Sequence, residues 1–329
     1  MKVLVTGGAG YIGSTVASAL VDAGHKVVIL DDFSSGPVEF VLDRPFYAGD
    51  VADGGLVDRV FSDHPDVTAV VHCAASIVVP ESVRSPLSYY RNNVGKTVEL
   101  VEHLVRNRCR RLVFSSTAAI YAAGPGPAVD EDSPLQPNSP YANSKLMVER
   151  VLKDVAGMHA VRSLSLRYFN PVGADPGLRT GPYRLGHTQA LGRLLDAAAG
   201  GEPFVVAGTD WATHDGTAIR DYIHVWDLAV AHVRALERFD EAVGPSGFEV
   251  VNIGTGSGTT VRELVAAFAE VVGRGPRVFD GPRRAGDVRG SYTVCDRAER
   301  LLGWRAQLDL RMAIADSLRW QTTRAVSAR

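Results

Sequence analysis

Cysteine and metal-binding spacings are scarce in this sequence. The 329 residues include only three cysteines, Cys73, Cys109 and Cys295, and no two of them form a CxxC pair. None of the nine histidines lies four residues from another histidine. We therefore expect neither a disulfide framework nor a metal site, and a reducing compartment fits this cysteine content.

An excess of charge of one sign is also absent. The 35 Lys and Arg residues are nearly balanced by 37 Asp and Glu residues, for a formal net charge of −2. Such a balance provides neither a basic field for nucleic acid nor a polybasic patch for membranes, so we expect a small-molecule partner. No apolar run reaches about 18 residues, and the opening segment KVLVTG resembles a strand more than a signal peptide. The expected location is the cytoplasm.

The first half of the chain alternates short apolar segments with helical patterns. KVLVTG, HKVVILDD, AVVHCAA and RRLVFSST have the composition of buried strands, and YIGSTVASALVDAG has that of a helix. Strands that are apolar on both faces belong in a parallel sheet covered by helices. We predict an α/β fold in which residues 1–170 form a Rossmann-like, doubly wound parallel sheet. Residues 171–329 are predicted to form mainly a smaller C-terminal substrate domain, with some segments returning to the first domain.

A glycine-rich loop, VTGGAGYIG, joins the first predicted strand to the first predicted helix. Gly7, Gly10 and Gly13 would allow a tight turn, close approach of a pyrophosphate and close packing of helix on strand. A glycine-rich turn without a ligand is the alternative. Asp31, eighteen residues after Gly13, favours a dinucleotide, because a carboxylate there accepts both ribose hydroxyls and repels a 2′-phosphate. We therefore expect NAD rather than NADP, whereas Asp32 also fits a solvated loop charge.

The segment SPYANSK places Tyr141 four residues before Lys145 and directly after Pro140. On a helix the two side chains share one face, and proline suits a helix start. Removing a proton from a sugar hydroxyl requires a base with a pKa of about 7, about 4 kcal/mol from an ordinary phenol. A cation about 5 Å away contributes about 3 kcal/mol at an effective dielectric of about 20, so Lys145 and an oxidised nicotinamide together suffice. A surface pair with a partly buried ring is the alternative.

Three hydroxyl residues follow the strand in RRLVFSST, where ligands bind at the carboxyl edge of a parallel sheet. Among Ser115, Ser116 and Thr117, we predict that Thr117 orients the substrate oxygen. Hydroxyls that merely cap a strand end are the alternative.

Motifs spread along nearly the whole chain resemble the UDP-glucose 4-epimerases, of the extended short-chain dehydrogenase/reductase superfamily. They are VTGGAGYIG, DDFSSG, HCAASIVVPES, YYRNNV, SPYANSKLMVER, LRYFNPVGA, DGTAIRDYIHVWDLA and PRRAGDV. The resemblance implies a tightly held NAD⁺ and a UDP-sugar partner. Tyr141 would take the 4-hydroxyl proton while hydride leaves C4, and the 4-keto sugar would turn and recover hydride on its other face. The resemblance also implies a homodimer built on the helix after SPLSYYRNNV and the helix of Tyr141.

The resemblance assigns cofactor contacts by motif position. Asp31 would hold the adenosine ribose, Asp50 and Val51 the adenine, and Asn92 and Tyr168 other parts of the cofactor. The full set is Gly7, Gly10, Tyr11, Ile12, Gly13, Asp31, Asp32, Phe33, Ser34, Ser35, Asp50, Val51, Cys73, Ala74, Ala75, Asn92, Ser115, Tyr141, Lys145 and Tyr168.

The resemblance also assigns contacts with the nucleotide sugar. Arg220 and Arg284 would bind the diphosphate, which accepts a planar guanidinium through two oxygens. Asp287 would hold the uridine ribose, and Ser291, followed by Tyr292, would leave room beside the sugar. The full substrate set is Thr117, Tyr141, Asn170, Gln189, Arg220, Arg284, Asp287 and Ser291. The catalytic set is Tyr141, Lys145 and Thr117, and the family usually has a serine in place of Thr117.

Some positions depart from the family pattern. Ile77 stands where a lysine is often found, and Lys96 replaces a glycine. The loop around residues 174–192 looks short and lacks the usual Asn-Leu pair, for which Gln189 and Ala190 are the equivalents. Sugar specificity is therefore the part of the function that the sequence determines least.

Two other functions share some of these features. A nucleotide-sugar 4,6-dehydratase would have the same fold, cofactor and Tyr/Lys pair, but dehydratases resemble one another in a Thr-Asp-Glu run, whereas Ala118 and Ala119 follow Thr117 here. A non-catalytic NAD-sensing protein would not need the Tyr/Lys pair.

In NIGTGSGTT the glycines and threonines predict a turn and a helix N-cap rather than a second phosphate loop. His224 and Asp227 have no spacing that requires a metal and are predicted to be structural.

Overall fold

Seven parallel strands form the central sheet of the computed structural model, which describes residues 1–124, 126–158, 160–183, 189–284 and 287–327, with side chains to residue 324. The strands are β1 (Lys2–Thr6), β2 (Lys26–Asp31), β3 (Phe46–Ala48), β4 (Val67–His72), β5 (Arg111–Ser115), β7 (Arg162–Tyr168) and β12 (Phe248–Ile253). Among the described residues, eight shorter strands pair outside this sheet: β6 (Ala128–Val129), β8 (Asn170–Val172), β9 (Phe204–Ala207), β10 (Ile219–Arg220), β11 (Tyr222–His224), β13 (Thr259–Thr260), β14 (Val278–Gly281) and β15 (Tyr292–Thr293).

The order of the strands creates a switch point in the central sheet. The order is β12-β7-β5-β4-β1-β2-β3, so the chain runs outward from β1 through β2 and β3 and then returns to place β4 on the other side of β1. Loops that leave β1 and β4 in opposite directions open a crevice at the carboxyl ends of the strands. The predicted doubly wound α/β fold is confirmed.

Twelve α-helices are found in the described residues, together with two short 3₁₀ segments, Val38–Val41 and Ala118–Ile120, and one π-helical segment, Tyr90–Gly95. The α-helices are α1 (Tyr11–Asp22), α2 (Gly54–Asp63), α3 (Val79–Arg84), α4 (Pro86–Tyr89), α5 (Lys96–Arg106), α6 (Pro140–Gly157), α7 (Ala190–Gly200), α8 (Val225–Glu237), α9 (Phe239–Val243), α10 (Val261–Val272), α11 (Asp296–Leu302) and α12 (Leu310–Ser327).

The two faces of the sheet are buried under different helices. Side chains alternate along β1, so that Val3 and Val5 pack with α1 and α8, whereas Leu4 packs with α2, α5 and α6. The period of two in a strand sends successive side chains to opposite faces, and both faces are apolar because both are covered. This packing explains the uninterrupted apolar composition of the strands.

Segments after residue 170 contribute to both parts of the molecule. β12 completes the central sheet beside β7, and α8 packs against α1. A separate apolar cluster lies among α7, α10, α12 and the β9–β14 pair, with Leu194, Phe204 and Phe268 at its centre. The division at residues 170 and 171 remains a prediction, and these packing relationships agree with segments returning to the first domain.

Two motifs outside the site have structural roles. The Thr260 hydroxyl accepts the backbone N–H of Glu263, and the Glu263 carboxylate accepts that of Thr260, which forms a capping box at the start of α10. The prediction of a turn and a helix N-cap is confirmed. His224 accepts the backbone N–H of Trp226, and Asp227 accepts those of Gln307 and Leu308, so both side chains bind backbone groups as predicted.

Candidate active site

The glycine loop after β1 is shaped by close backbone contacts. Gly7 has a positive φ of 69°, and a Cβ on it would lie 2.5 Å from the backbone nitrogen of Ala74. A Cβ on Gly13 would overlap the carbonyl oxygen of Gly7. A side chain at either position would therefore separate β1 from the β4 loop or from α1. The turn is compact and directs the N-terminus of α1 toward the crevice between β1 and β4.

Asp31 ends β2 beside this loop and is fixed by two backbone donors. Its Oδ2 accepts the N–H of Ala9 at 2.8 Å, and its Oδ1 accepts the N–H of Phe33 at 2.8 Å. Burial raises the pKa of the Asp31 carboxyl, and the two N–H groups act in the opposite direction. Each carboxylate oxygen retains a second lone pair, so Asp31 can also accept two ribose hydroxyls.

A cavity of about 290 Å³ occupies the crevice at the carboxyl edge of the sheet. It is lined by all of the predicted cofactor residues except Phe33 and Ser115. It is also lined by residues that the motifs did not assign: Leu30, Gly49, Ser76, Ile77, Val78, Glu81, Tyr89, Lys96 and Tyr183. One continuous space therefore extends from the glycine loop and Asp31 to Tyr141 and Lys145.

Phe33 and Ser115 are the two predicted cofactor residues that are not among the described residues lining the cavity. Phe33, with a φ of 55°, packs its ring edge-on against Phe46 at a centroid distance of 5.7 Å, and its backbone N–H donates to Asp31. The Ser115 hydroxyl lies 3.1 Å from the sulfur of Cys73, which lines the cavity. The contacts of Phe33 and Ser115 with the cofactor remain predictions.

Tyr141 and Lys145 lie on the first turns of α6. The side chain of Ser139 caps this helix by accepting the N–H of Ala142 at 3.2 Å, and Pro140 occupies the first helical position. The predicted helix start is confirmed. Tyr141 is 9% exposed and Lys145 3% exposed, yet both reach the cavity. The pair therefore does not lie on the protein surface.

The end of β5 supplies the partners of this pair. The Lys145 Nζ donates a hydrogen bond to the carbonyl oxygen of Ser115 at 2.8 Å and lies 4.8 Å from the centre of the Phe114 ring. Burial raises the pKa of the Tyr141 phenol, and a hydrogen bond with Thr117 acts in the opposite direction. The hydroxyl of Thr117 is thus placed beside the phenol, where it can also bind a substrate oxygen.

The charge on Lys145 survives its burial. Burial lowers the pKa of the Lys145 ammonium to about 8, and the negative charge of Glu149 acts in the opposite direction. This pKa still favours the ammonium form at pH 7. Burial also raises the pKa of the Cys73 thiol to about 11, so this thiol is neutral at pH 7 and Lys145 is the cation beside Tyr141.

Lys96 forms a contact that the motifs did not predict. Its Nζ lies 2.6 Å from Oδ2 of Asp50, and both residues line the cavity. Burial raises the pKa of the Asp50 carboxyl, but the hydrogen bonds from Lys96 and from the N–H of Ala52 outweigh it and lower the pKa. Lys96, which replaces a glycine of the family pattern, therefore holds the carboxylate of Asp50, and the resemblance assigns Asp50 to the adenine of the cofactor. The other departure, Ile77, lines the cavity with 56% of its surface exposed.

The two asparagines of YYRNNV, Asn92 and Asn93, have different roles. Asn92 lines the cavity and donates to the hydroxyl of Ser76 at 3.2 Å. Asn93 is buried and bonds the backbone of Ser76 twice, through Oδ1 at 2.8 Å and Nδ2 at 2.9 Å, and donates to the hydroxyl of Ser144 at 3.0 Å. Sequence reasoning selected Asn92 and missed Asn93, which ties the β4 loop to α6.

The predicted diphosphate and uridine residues lie on the second half of the chain. The Arg220 guanidinium donates to the carbonyl oxygens of Val288 and Arg289, at 3.3 and 3.0 Å. The structure therefore brings Arg220 beside the segment that contains Asp287 and Ser291. The backbone N–H of Asp287 donates to the carbonyl of Arg284 at 3.1 Å. None of these four side chains is among the described residues that line the cavity.

Asn170, Thr117 and Gln189, also predicted to bind the substrate, are not among the described residues that line the cavity. Asn170 begins β8 and pairs with Tyr222 of β11, two residues after the cavity-lining Tyr168. Thr117 lies at the end of β5, outside the set of described lining residues. Gln189 precedes α7, and residues 184–188 of the loop that we expected to shape the sugar pocket lie outside the described residues.

Tyr292 has its own contacts beside Ser291. Its backbone N–H donates to the carbonyl of Pro127 at 2.9 Å, and β15 pairs with β6. Its ring lies against Gly258, where an added Cβ would be 2.5 Å from Cδ1. The Tyr292 ring therefore packs against Gly258, the residue before β13.

The described residues contain no cluster of three or more His, Cys, Asp or Glu side chains arranged to hold a metal ion. No helix among them is both long and apolar enough to cross a membrane.

A compact glycine loop, an acidic residue at the end of β2 and a Tyr/Lys pair at the carboxyl edge of the sheet define a dinucleotide-dependent enzyme of the short-chain dehydrogenase type. The chain belongs to the NAD dependent epimerase/dehydratase family, whose sequence model matches residues 3–254.

The chain is similar to named proteins and to proteins of known structure. The chain is 44% identical over 323 residues to a UDP-glucose 4-epimerase of Azospirillum brasilense, covering 97% of this chain and 92% of that protein. A UDP-glucose-4-epimerase of Stenotrophomonas maltophila, solved with bound NAD and formylated UDP-arabinopyranose, superposes with a TM-score of 0.95 at 35% identity, covering 99% of each chain. One from Bifidobacterium longum, solved in complex with NAD⁺ and UDP, gives a TM-score of 0.90 at 34% identity and covers 98% of each chain.

Proposed function

We propose that this protein is an NAD-dependent epimerase that inverts C4 of a UDP-hexose and interconverts UDP-galactose and UDP-glucose. The observation that carries the proposal is the continuous cavity that joins Asp31 and the glycine loop to Tyr141 and Lys145. Membership of the family and the similarity to UDP-glucose 4-epimerases over nearly the full chain support the same function.

The residues present fit NAD. Gly7 brings the backbone close enough to the β4 loop to exclude any side chain, and Asp31 offers lone pairs to a ribose and repels a 2′-phosphate. Asp50, held by Lys96, lies in the same wall. When bound there, NAD⁺ supplies a hydride acceptor at its nicotinamide and returns the hydride within the same turnover.

Side chains of the protein transfer the proton of the sugar 4-hydroxyl. Tyr141, as the phenolate, takes the proton of the sugar 4-hydroxyl as the C–H bond at C4 breaks and a C4 carbonyl forms. The same phenol returns the proton to that oxygen when hydride reaches C4 from the opposite face. Lys145 stabilises the phenolate by its charge, and Thr117 positions the sugar oxygen by a hydrogen bond. The reaction has no net oxidation, so one bound cofactor serves many turnovers.

The nucleotide would be held by the second half of the chain. Arg220 and Arg284 would bind the diphosphate, Asp287 the uridine ribose, and Asn170 and Gln189 the sugar side. The placement of Arg220 against residues 288 and 289 supports a common site for these groups. Ser291 would leave space for a 2-acetamido group, so UDP-N-acetylgalactosamine would be a second substrate.

The functional unit would be a homodimer. The two helices on which the dimer is predicted, α5 and α6, carry exposed apolar side chains, with Val105 44% and Met147 42% exposed. The neighbouring α3 and α4 add Val83 and Leu87, 63% and 66% exposed. An apolar surface of this kind is typical of a subunit contact. The cytoplasmic location and the absence of nucleic-acid and membrane partners remain predictions. The free state of all three cysteines agrees with a reducing compartment.

The function is tested by incubating purified protein with UDP-galactose without added cofactor. The expected results are formation of UDP-glucose and release of NAD on denaturation. Parallel assays use UDP-N-acetylgalactosamine and UDP-galacturonate. A 4-keto-6-deoxy product would instead identify a dehydratase. Bound NAD with no turnover of any UDP-sugar would instead identify the NAD-sensing protein.

A further inference from the structure

A buried polar network lies directly behind the Tyr141–Lys145 pair. Ser116 donates to Oε1 of Glu149 at 2.5 Å, and Arg167 binds the same carboxylate through Nε at 3.0 Å and Nη2 at 2.6 Å. The exposed fractions are 0% for Ser116, 3% for Glu149 and 4% for Arg167. None of these three residues lines the cavity among the residues that the structure describes.

The network joins α6 to the end of β5 at the same place as the catalytic pair. Glu149 follows Lys145 by four residues, as Lys145 follows Tyr141, so the three side chains share one face of the helix. Ser116 lies between Ser115, whose carbonyl accepts the Lys145 ammonium, and Thr117, which hydrogen-bonds Tyr141. Three successive residues of one segment thus contact three successive turns of one helix.

Stability alone is a weak reason for such a pair. A buried ion pair often adds little over apolar side chains of similar volume, because two charges must be removed from water. Burial of this carboxylate and guanidinium therefore favours a role in positioning. The backbone N–H of Ser116 also donates to the carbonyl of Leu166 at 2.9 Å, so the segment is held from β7 as well.

We propose that Glu149 is a positioning residue for the epimerase reaction. Acting through Ser116, it sets the segment 115–117 so that the Ser115 carbonyl meets Lys145 and the Thr117 hydroxyl meets Tyr141. The proposal rests on the proposed function for its kinetic consequences. A second consequence is electrostatic and independent of turnover, since the Glu149 carboxylate favours the charged form of Lys145.

The other groups around Lys145 differ from Glu149 in charge. His72 is held neutral because burial lowers its pKa to about 3, and the Cys73 thiol is neutral because burial raises its pKa to about 11. Burial likewise raises the pKa values of the Tyr141 and Tyr168 phenols. Replacing Glu149 removes the negative charge that favours the ammonium form, so the pKa of Lys145 should fall.

The kinetic test uses Ser116→Ala and Glu149→Gln, with Tyr121→Phe as the matched control. The Tyr121 hydroxyl accepts from Arg167 at 3.0 Å and donates to Asn252 at 2.6 Å, so it belongs to the same network without contacting Ser116. Ser116→Ala is expected to lower kcat about tenfold or more with unchanged KM and full NAD content, whereas Tyr121→Phe keeps kcat within about twofold. The double variant Ser116→Ala/Glu149→Gln should lose no more than its worse single variant.

The electrostatic test follows the lysine side chains of the protein with its bound cofactor by NMR after ¹³C labelling at Cε. The chain has only five lysines, so the Lys145 signal is assigned by its loss in Lys145→Arg. The titration midpoint of Lys145 should fall in Glu149→Gln, and it should fall by less in Ser116→Ala, which keeps the carboxylate charge and disturbs only the contact with the Ser115 carbonyl.

Equal loss of kcat in Ser116→Ala and Tyr121→Phe would overturn the proposal, as would a rise in KM alone or an unmoved Lys145 midpoint in Glu149→Gln. If Glu149→Gln does not fold, the comparison of kcat between Ser116→Ala and Tyr121→Phe still tests the proposal. If the unsubstituted protein converts no UDP-sugar, the proposed function fails, while the Lys145 titration still tests the role of Glu149.

Discussion

The Lys145 ammonium donates a hydrogen bond to the Ser115 carbonyl, with an Nζ–O distance of 2.8 Å. This contact fixes a buried cation at the end of β5, one helical turn from the phenol of Tyr141. Burial raises the pKa of that phenol, so the phenolate depends on neighbouring positive charge. The relationship between these groups determines how the reaction should respond to substitution and to pH.

Tyr141→Phe should retain NAD but lose most turnover. The ring still fills its place, and only the proton acceptor is removed, so we expect a loss of about 10²- to 10⁴-fold in kcat. NAD released on denaturation and the rate with UDP-galactose are measured together. Tyr90→Phe is the control, because the Tyr90 hydroxyl accepts from Asn143 at 3.3 Å and Tyr90 lies outside the set of described cavity residues. Near-normal rates for Tyr141→Phe would exclude it as the base.

Lys145→Ala should slow the reaction and move its pH dependence to higher pH. Loss of a cation worth about 3 kcal/mol raises the phenol pKa by about two units, at about 1.4 kcal/mol per unit. Activity requires the phenolate, so the rise of kcat with pH shifts to the alkaline side. Lys145→Arg keeps the charge and should show a smaller shift. An unchanged profile in Lys145→Ala would contradict the role of the charge.

Lys96→Met should weaken the retention of NAD by a small factor. The Lys96–Asp50 pair is partly exposed, with 32% and 39% of the side chains accessible. Such pairs are worth about 0.2 to 1 kcal/mol, or up to about fivefold in affinity. Affinity is measured by reconstituting cofactor-free protein with NAD. Lys153→Met removes an exposed lysine of α6 outside the described cavity residues and serves as the control. Equal NAD affinities of Lys96→Met and Lys153→Met would show that Lys96 does not contribute to cofactor binding.

Local patterns predicted much of the fold and part of the site. The glycine loop, Asp31 and the Tyr/Lys pair were recognised because each lies within one turn or helix or at a fixed position in a βαβ unit. The Lys96–Asp50 contact was not predicted, because it joins the start of α5 to the loop after β3, and no local spacing encodes that approach. The Glu149–Arg167 pair was missed for the same reason, since it links α6 to β7 through the core.

The homodimer should depend on the exposed apolar face of α6. At micromolar concentration the protein is expected to sediment as a dimer, and Met147→Lys to sediment as a monomer. Met158, 78% exposed at the other end of the helix, provides the control Met158→Lys, which should remain dimeric. Monomers alone in the unsubstituted protein would refute the dimer. A dimer that survives Met147→Lys would place the contact on another face.

Ser291 should set the sugar range of the enzyme. It lies directly after Gly290, whose backbone lies close against the Arg220 guanidinium, and the neighbouring Tyr292 packs on Gly258. A serine leaves room beside the sugar, so the unsubstituted protein should use both UDP-galactose and UDP-N-acetylgalactosamine. Ser291→Tyr should fill that room and selectively lower kcat/KM for the N-acetylated sugar. Steric differences of this size correspond to about 1 to 3 kcal/mol, or about 10- to 200-fold in kcat/KM.

The controls for Ser291 separate a steric gate from general damage. Ser291→Ala removes the hydroxyl but keeps the space, so it should leave the ratio of the two kcat/KM values within about twofold of the unsubstituted protein. Both sugars are assayed with the same preparation, so that differences in folding or NAD content cancel in the ratio. Equal loss of both activities in Ser291→Tyr would show that the residue does not discriminate. Failure of the unsubstituted protein to use the N-acetylated sugar would move the determinant elsewhere in the pocket, with the segment around Gln189 as the next candidate.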